Sequence, residues 1–176
     1  MLSSLPPFVL FFVGAIAIAF TRGSIRKALV LAVPLIGGLN LWFGVEPGIH
    51  LQIELLGYTL TPYRADKLSL LFGYLFHLAA FLGFIYALHL GDGVPDGAVD
   101  GEDHTGGDRA GLQHVSAMLY AGSAIGAVFA GDFITLFVFW ELLAVTSAFL
   151  IWARGSERSY ETGFRYLIIH VVSGVL

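Results

Sequence analysis

The strongest constraint on this chain is the length of its apolar runs. The stretches "KLSLLFGYLFHLAAFLGFIYALH" (67–89) and "FITLFVFWELLAVTSAFLIWA" (133–153) carry almost no charge over the distance a helix needs to cross a bilayer, about 20 residues for a hydrocarbon core of roughly 30 Å. A soluble domain interleaves polar residues at helical or strand period. Composition agrees: of the 176 residues, 57% are hydrophobic and 12% charged, with a mean hydropathy of +0.80, far from a soluble globular average. The fold class is therefore all-α integral membrane, a polytopic helix bundle. The absence of cysteine excludes disulfides, thiolate metal sites and cysteine nucleophiles. The net charge of −4 says little about partners, because the acids concentrate in one loop.

Six spans are expected. Span one covers about 2–20, with Pro6 and Pro7 near the first turn, where proline is tolerated. It lacks the basic start and small-residue cleavage site of a secretion signal. Span two covers about 28–45 and holds Pro34, Gly37 and Gly38, a combination that bends helices. Residues 46–65 differ: "IHLQIELL" alternates apolar and polar residues before Gly57 and "YTLTPY", which predicts a short extracytoplasmic β-hairpin at the membrane surface. Span three covers 67–89. Residues 91–111 hold six acids and seven glycines, the composition of a solvated loop. Spans four and five cover about 112–130 and 133–153, and "RGSERSYE" reads as a polar loop. Span six opens near Thr162 and leaves room for about 21 Å of helix before Leu176, so the chain is expected to be the N-terminal piece of a longer protein. Its organisation divides into 1–130 and 131–176.

Lysine and arginine fix the orientation. Arg22, Arg26, Lys27, Arg109, Arg154, Arg158 and Arg165 fall on one side, Arg64 and Lys67 on the other. The first side is predicted cytoplasmic, which places the N-terminus and the hairpin outside.

Glu141 is the prime candidate for chemistry. It lies about 12 Å along span five, where a charge costs about 2.5–3.5 kcal/mol on insertion scales. An acid held there either relays protons or glues helices, and intramembrane acids are functional by default. Asp132, after Gly131, reads as the cap of span five, with ion entry as the other reading. His170, about 10 Å into span six, either relays protons near neutral pH or hydrogen-bonds a backbone carbonyl. Arg165 either pairs with Glu161 at i,i+4 or biases the proton path. His77 near the centre of span three and Asp66 eleven residues before it share a helix face; such a histidine is more often simply satisfied within the bundle. Gly122, Gly126 and Ala130 recur at four-residue intervals, a face for close helix packing. The histidine spacings assemble no metal site, and no phosphate loop, dinucleotide fingerprint or nucleophile elbow is present, so neither a cofactor nor catalytic chemistry of its own is implied. The scattered basic residues argue against nucleic acid.

"YAGSAIGAVFAGDFITLFVFWELLAVTSAFLIW", followed by "FRYLIIHVVSGVL", resembles the antiporter-like subunits shared by respiratory complex I and Mrp-type sodium/proton antiporters. "YRADKLSLLF" is similar to the family's pattern after the hairpin, although Lys67 stands where the family usually has glycine. The match runs in order along the whole chain, and its most specific element is "GD…FxxFWE" (131–141). The D-type Mrp branch looks closest. The resemblance implies about fourteen helices in two inverted repeats, a prokaryotic plasma-membrane location, partner membrane subunits, and protons with Na+ as cargo. It implies that Glu141 is a proton-path residue whose lysine partner lies on a seventh span, beyond this chain. The rival readings are a proton-pumping subunit of complex I or a membrane hydrogenase, and a non-transporting scaffold or inactive fragment.

Overall fold

The computed structural model describes residues 5–93, 106–153 and 156–175. Within them the chain forms six helices and one two-stranded sheet: α1 (Pro7–Phe20), α2 (Gly23–Gly44), β1 (Gly48–Leu55), β2 (Tyr58–Ala65), α3 (Lys67–Gly93), α4 (Gly106–Phe129), α5 (Phe133–Trp152) and α6 (Glu157–Val175). Four helical segments are long and apolar enough to cross a membrane: Gly23–Gly44, Lys67–His89, Ala110–Phe129 and Phe133–Trp152. The outer face of α3 shows why. Leu68, Leu71, Leu75, Leu78, Leu82 and Ile85 are all exposed and recur every three or four residues, a stripe that water would reject and lipid accepts.

α1 is shorter, at 14 residues, or about 21 Å. Pro6 occupies its N-cap position without a side-chain cap and Pro7 takes its first helical position, where the missing N–H has no bond to lose. Its Phe8, Phe11, Ala15 and Ile18 are buried. The face they form packs on α4, where Gly122 brings its α-carbon against Phe11 Cβ. One turn further on, Gly126 lies under the ring of Phe139 from α5, and Phe139 in turn meets Phe8 at 5.0 Å and stacks on Phe12 at 6.5 Å between centroids. The small-residue stripe on α4 thus works as its spacing suggests: each missing side chain seats an aromatic ring from a neighbour. α2 and α3 flank this centre. Pro34 lies buried inside α2, and Gly73 of α3 admits Leu41 and Phe129.

The hairpin forms as expected and turns at Leu56–Gly57, with φ of +52° and +81°. Positive φ at both central residues is the type I′ geometry, which matches strand twist; Gly57 adopts it freely and Leu56, 92% exposed, does not. The antiparallel register slips between Ile49 and Leu51 and again between Leu51 and Ile53. β1 is exposed almost throughout, while β2 buries Thr61, Tyr63 and Ala65 and packs on α4 and α5.

Three boundaries differ from the sequence expectation. α2 starts at Gly23 rather than residue 28, because Arg26 and Lys27 are good helix formers and Arg26 Nε donates to Thr21 O at 2.8 Å. The acidic segment is helical at both ends, to Gly93 and from Gly106; 94–105 lie outside the described residues. α6 opens at Glu157, not near Thr162, so much of "RGSERSYE" is helix rather than loop. The cause is a reciprocal cap: Ser159 N donates to Ser156 Oγ at 3.2 Å, and Ser156 N donates to Ser159 Oγ at 3.0 Å. Two hydroxyls thereby satisfy amides that a helix start otherwise leaves open.

Candidate functional site

α5 carries the site, and its rotation is fixed by Phe139. With that ring wedged between α1 and α4, a residue two positions later points about 200° away. Glu141 accordingly faces α6 rather than the packed centre. Its carboxylate reaches the backbone of α6 at Gly174: a methyl built on that glycine would lie 2.5 Å from Glu141 Oε1. Oε1 is itself buried and, among the described residues, accepts no hydrogen bond. Glu141 is the ninth of 20 residues in α5, about 12 Å from its start, so this oxygen lies well inside the membrane-crossing part of the molecule.

Beside it, α5 and α6 enclose a groove of about 530 Å³. Phe133, Leu136, Phe137 and Trp140 supply one wall, at the i, i+3, i+4, i+7 spacing of a single helix face. His170, Ser173 and Gly174 supply the other. The His170 ring sits between Trp140 and Tyr166, with centroids 6.3 and 5.7 Å away, and the Tyr166 hydroxyl accepts a hydrogen bond from Ser147 of α5 at 2.9 Å. His170 and Gly174 are one turn apart on α6, so the histidine and the acid approach the same two-helix seam.

Asp132 caps α5 as its sequence position suggests: Oδ1 accepts from Thr135 N at 2.8 Å and Oδ2 from Thr135 Oγ1 at 2.7 Å. It also does something the sequence does not announce. Oδ2 accepts from the amide of Thr61 in β2 at 2.6 Å, and Gly131 N donates back to Thr61 O at 2.8 Å. Cap and hairpin are one structure. Burial alone would raise the pKa of Asp132, but the combined donors of Thr135, Thr61 and Ile134 outweigh it and hold the carboxyl below its usual value.

The other candidates separate. Asp66 is occupied at the start of α3: Ser69 N donates to its Oδ1 at 2.8 Å, its own amide donates to Ser69 Oγ at 2.7 Å, and Arg64 pairs with it at 3.3 Å. The Ser69 amide is the main reason its pKa is lowered. His77 is buried about 16 Å further along the helix. Its Nδ1 contacts Gly73 O at 2.7 Å; a carbonyl can only accept, so Nδ1 carries the proton and Nε2 is left as an acceptor with no partner among the described residues. That nitrogen faces Gly37, and Phe11 stands edge-on at 5.2 Å. Asp66 and His77 therefore share a helix but not a site. Arg165 and Glu161 are both exposed, and among the described residues no ion pair joins them. Sequence reasoning missed Gly174 and Ser173, which carry no signal until α6 is laid against α5. Compared with known proteins, the chain matches no protein-family model and no curated protein.

Proposed function

We propose that this chain is a membrane subunit of a multisubunit monovalent cation (Na+)/proton antiporter of the Mrp D type, and that Glu141 carries the proton. The observation behind this is the buried, unpartnered Oε1 of Glu141 midway along α5. A buried acceptor left without a donor costs about 1–3 kcal/mol, and more when charged. Taking up a proton removes the charge whose burial is most costly, which suits this oxygen to carrying one. The groove beside it is walled on one side by Phe133, Leu136, Phe137 and Trp140, and His170 offers an imidazole on its other wall. Asp132 and Asp66 serve as caps in this reading, and His77 belongs to the α2–α3 packing.

The proposed setting is a prokaryotic plasma membrane, with the N-terminus and hairpin outside, next to other membrane subunits. The Thr61–Asp132 bond fits alternate crossings, which bring the hairpin and the α4–α5 turn to one side; the lysine and arginine count is what assigns that side to the outside. Glu141→Gln keeps the shape and removes the titrating group. In everted vesicles with the partner subunits present, it is expected to abolish nearly all Na+-dependent proton exchange. Wild-type exchange from a normally assembled Glu141→Gln protein would end the proposal.

A further inference from the structure

Gly174 is the least conspicuous residue of the seam, yet it is what lets the acid sit there. The position for a Cβ on Gly174 lies 2.5 Å from Glu141 Oε1 and 3.6 Å from Glu141 Cδ, whereas ordinary contact begins at 3.4 Å. Any larger residue must therefore move the carboxylate oxygen by about 0.5–0.9 Å, from 2.5 Å to between 3.0 and 3.4 Å. The group that has to yield is the tip of a flexible side chain, not backbone. The fold can absorb the change and the placement of the acid cannot.

We infer that Gly174 is a positioning residue for proton transfer: its bare α-carbon forms a notch in α6 that holds the Glu141 carboxylate at one place in the α5–α6 seam, one turn from His170. This rests on the reading of Glu141 as the proton carrier. Two observations meet here independently, the buried oxygen without a partner on α5 and the absent side chain opposite it on α6. Proton transfer requires donor and acceptor within about 2.6–3.2 Å, directly or through one water, so a shift of about 0.5–0.9 Å takes the carboxylate out of line. Misplacement of that size can cost about a hundredfold in rate.

The test is Gly174→Ala beside Glu141→Gln in the assembled antiporter in everted vesicles. Alanine favours helix over glycine, so assembly should hold. Proton exchange should fall about tenfold or more, with its pH profile displaced. Glu141→Asp withdraws the acid by one methylene and makes room for the new methyl. The pair Glu141→Asp/Gly174→Ala should therefore be no slower than Glu141→Asp alone, a coupling that independent sites do not show. If Gly174→Ala matches wild type in rate and pH profile while Glu141→Gln is dead, the notch has no role and the proton carrier stands. If Glu141→Gln is active, the carrier falls and the notch with it. If Gly174→Ala does not assemble, restored assembly in the pair supports the contact, and failure of the pair refutes it.

Discussion

Asp132→Ala removes one side chain that answers to two elements. On α5 it deletes the cap donated to by Thr135 N and Oγ1, worth about 1 kcal/mol. On the hairpin it strands the amide of Thr61, a residue only 8% exposed, and a buried amide without an acceptor costs about 1–3 kcal/mol. Because Asp132 is itself only half-buried, water softens both effects, and the sum is about 2–3 kcal/mol. Amide exchange at Thr61 in detergent-solubilised protein should accelerate about 30- to 150-fold, at about 1.4 kcal/mol per decade, while amides in the middle of α4 stay at their wild-type rates. Asp132→Asn keeps an acceptor and a good cap and should lose less than half of this. The same bonds set a pH dependence. A lowered carboxyl pKa in the folded state means that Asp132 and Asp66 contribute stability above the usual carboxylate range and lose it as pH falls through their lowered values. Thr61 protection should therefore decay in acid in the wild type and depend less on pH in Asp132→Ala, where Asp66 alone still titrates. Unchanged Thr61 exchange in Asp132→Ala, with the first turn of α5 alone loosened, would refute the idea that cap and hairpin are one unit.

Three further outcomes follow from the packing and the turn. Gly37→Ala drives a methyl to 2.7 Å from His77 Nε2 and 3.4 Å from Phe11; the overpacking cost of about 1–3 kcal/mol should exceed the helix gain of up to about 1 kcal/mol, lowering the midpoint of thermal unfolding followed by tryptophan fluorescence. Gly83→Ala on α3 meets nothing within 4 Å and should leave that midpoint unchanged or raise it. Leu56→Asn installs the Asn-Gly pair that type I′ turns prefer and relieves the left-handed leucine at φ +52°; it should stabilise the hairpin by about 1 kcal/mol, read as slower exchange along β1 and β2.

The membrane-crossing helices are legible in the sequence because lipid selects for continuous apolar length, which composition alone displays. The hairpin is legible because two-residue alternation survives in "IHLQIELL", and the cap because "GDF" places an acid just before an apolar helix. The early start of α6 was also available, in the Ser156–Ser159 pair, but a cluster of charges looks like a loop when the cap is overlooked. What could not be read is everything that joins residues far apart. Thr61 meets Asp132 across 71 positions, and Gly174 meets Glu141 only because Phe139 turns α5 by its own packing. Glu141 announces itself by depth in an apolar run, whereas its notch is a missing side chain, and an absence has no periodicity.

The 71-residue gap between Thr61 and Asp132 also imposes an order in time. Synthesis at about 5–20 residues per second delivers the hairpin roughly 4–14 s before its anchor exists. Through that interval β2 has its turn and its strand partner but no acid to hold it, and the slips in register near Leu51 leave alternative pairings within reach. Tyr63 of β2 can pack on Phe129 of α4 before α5 enters the membrane, so the arrival of the helix that bears Glu141 supplies the last anchor of the strands.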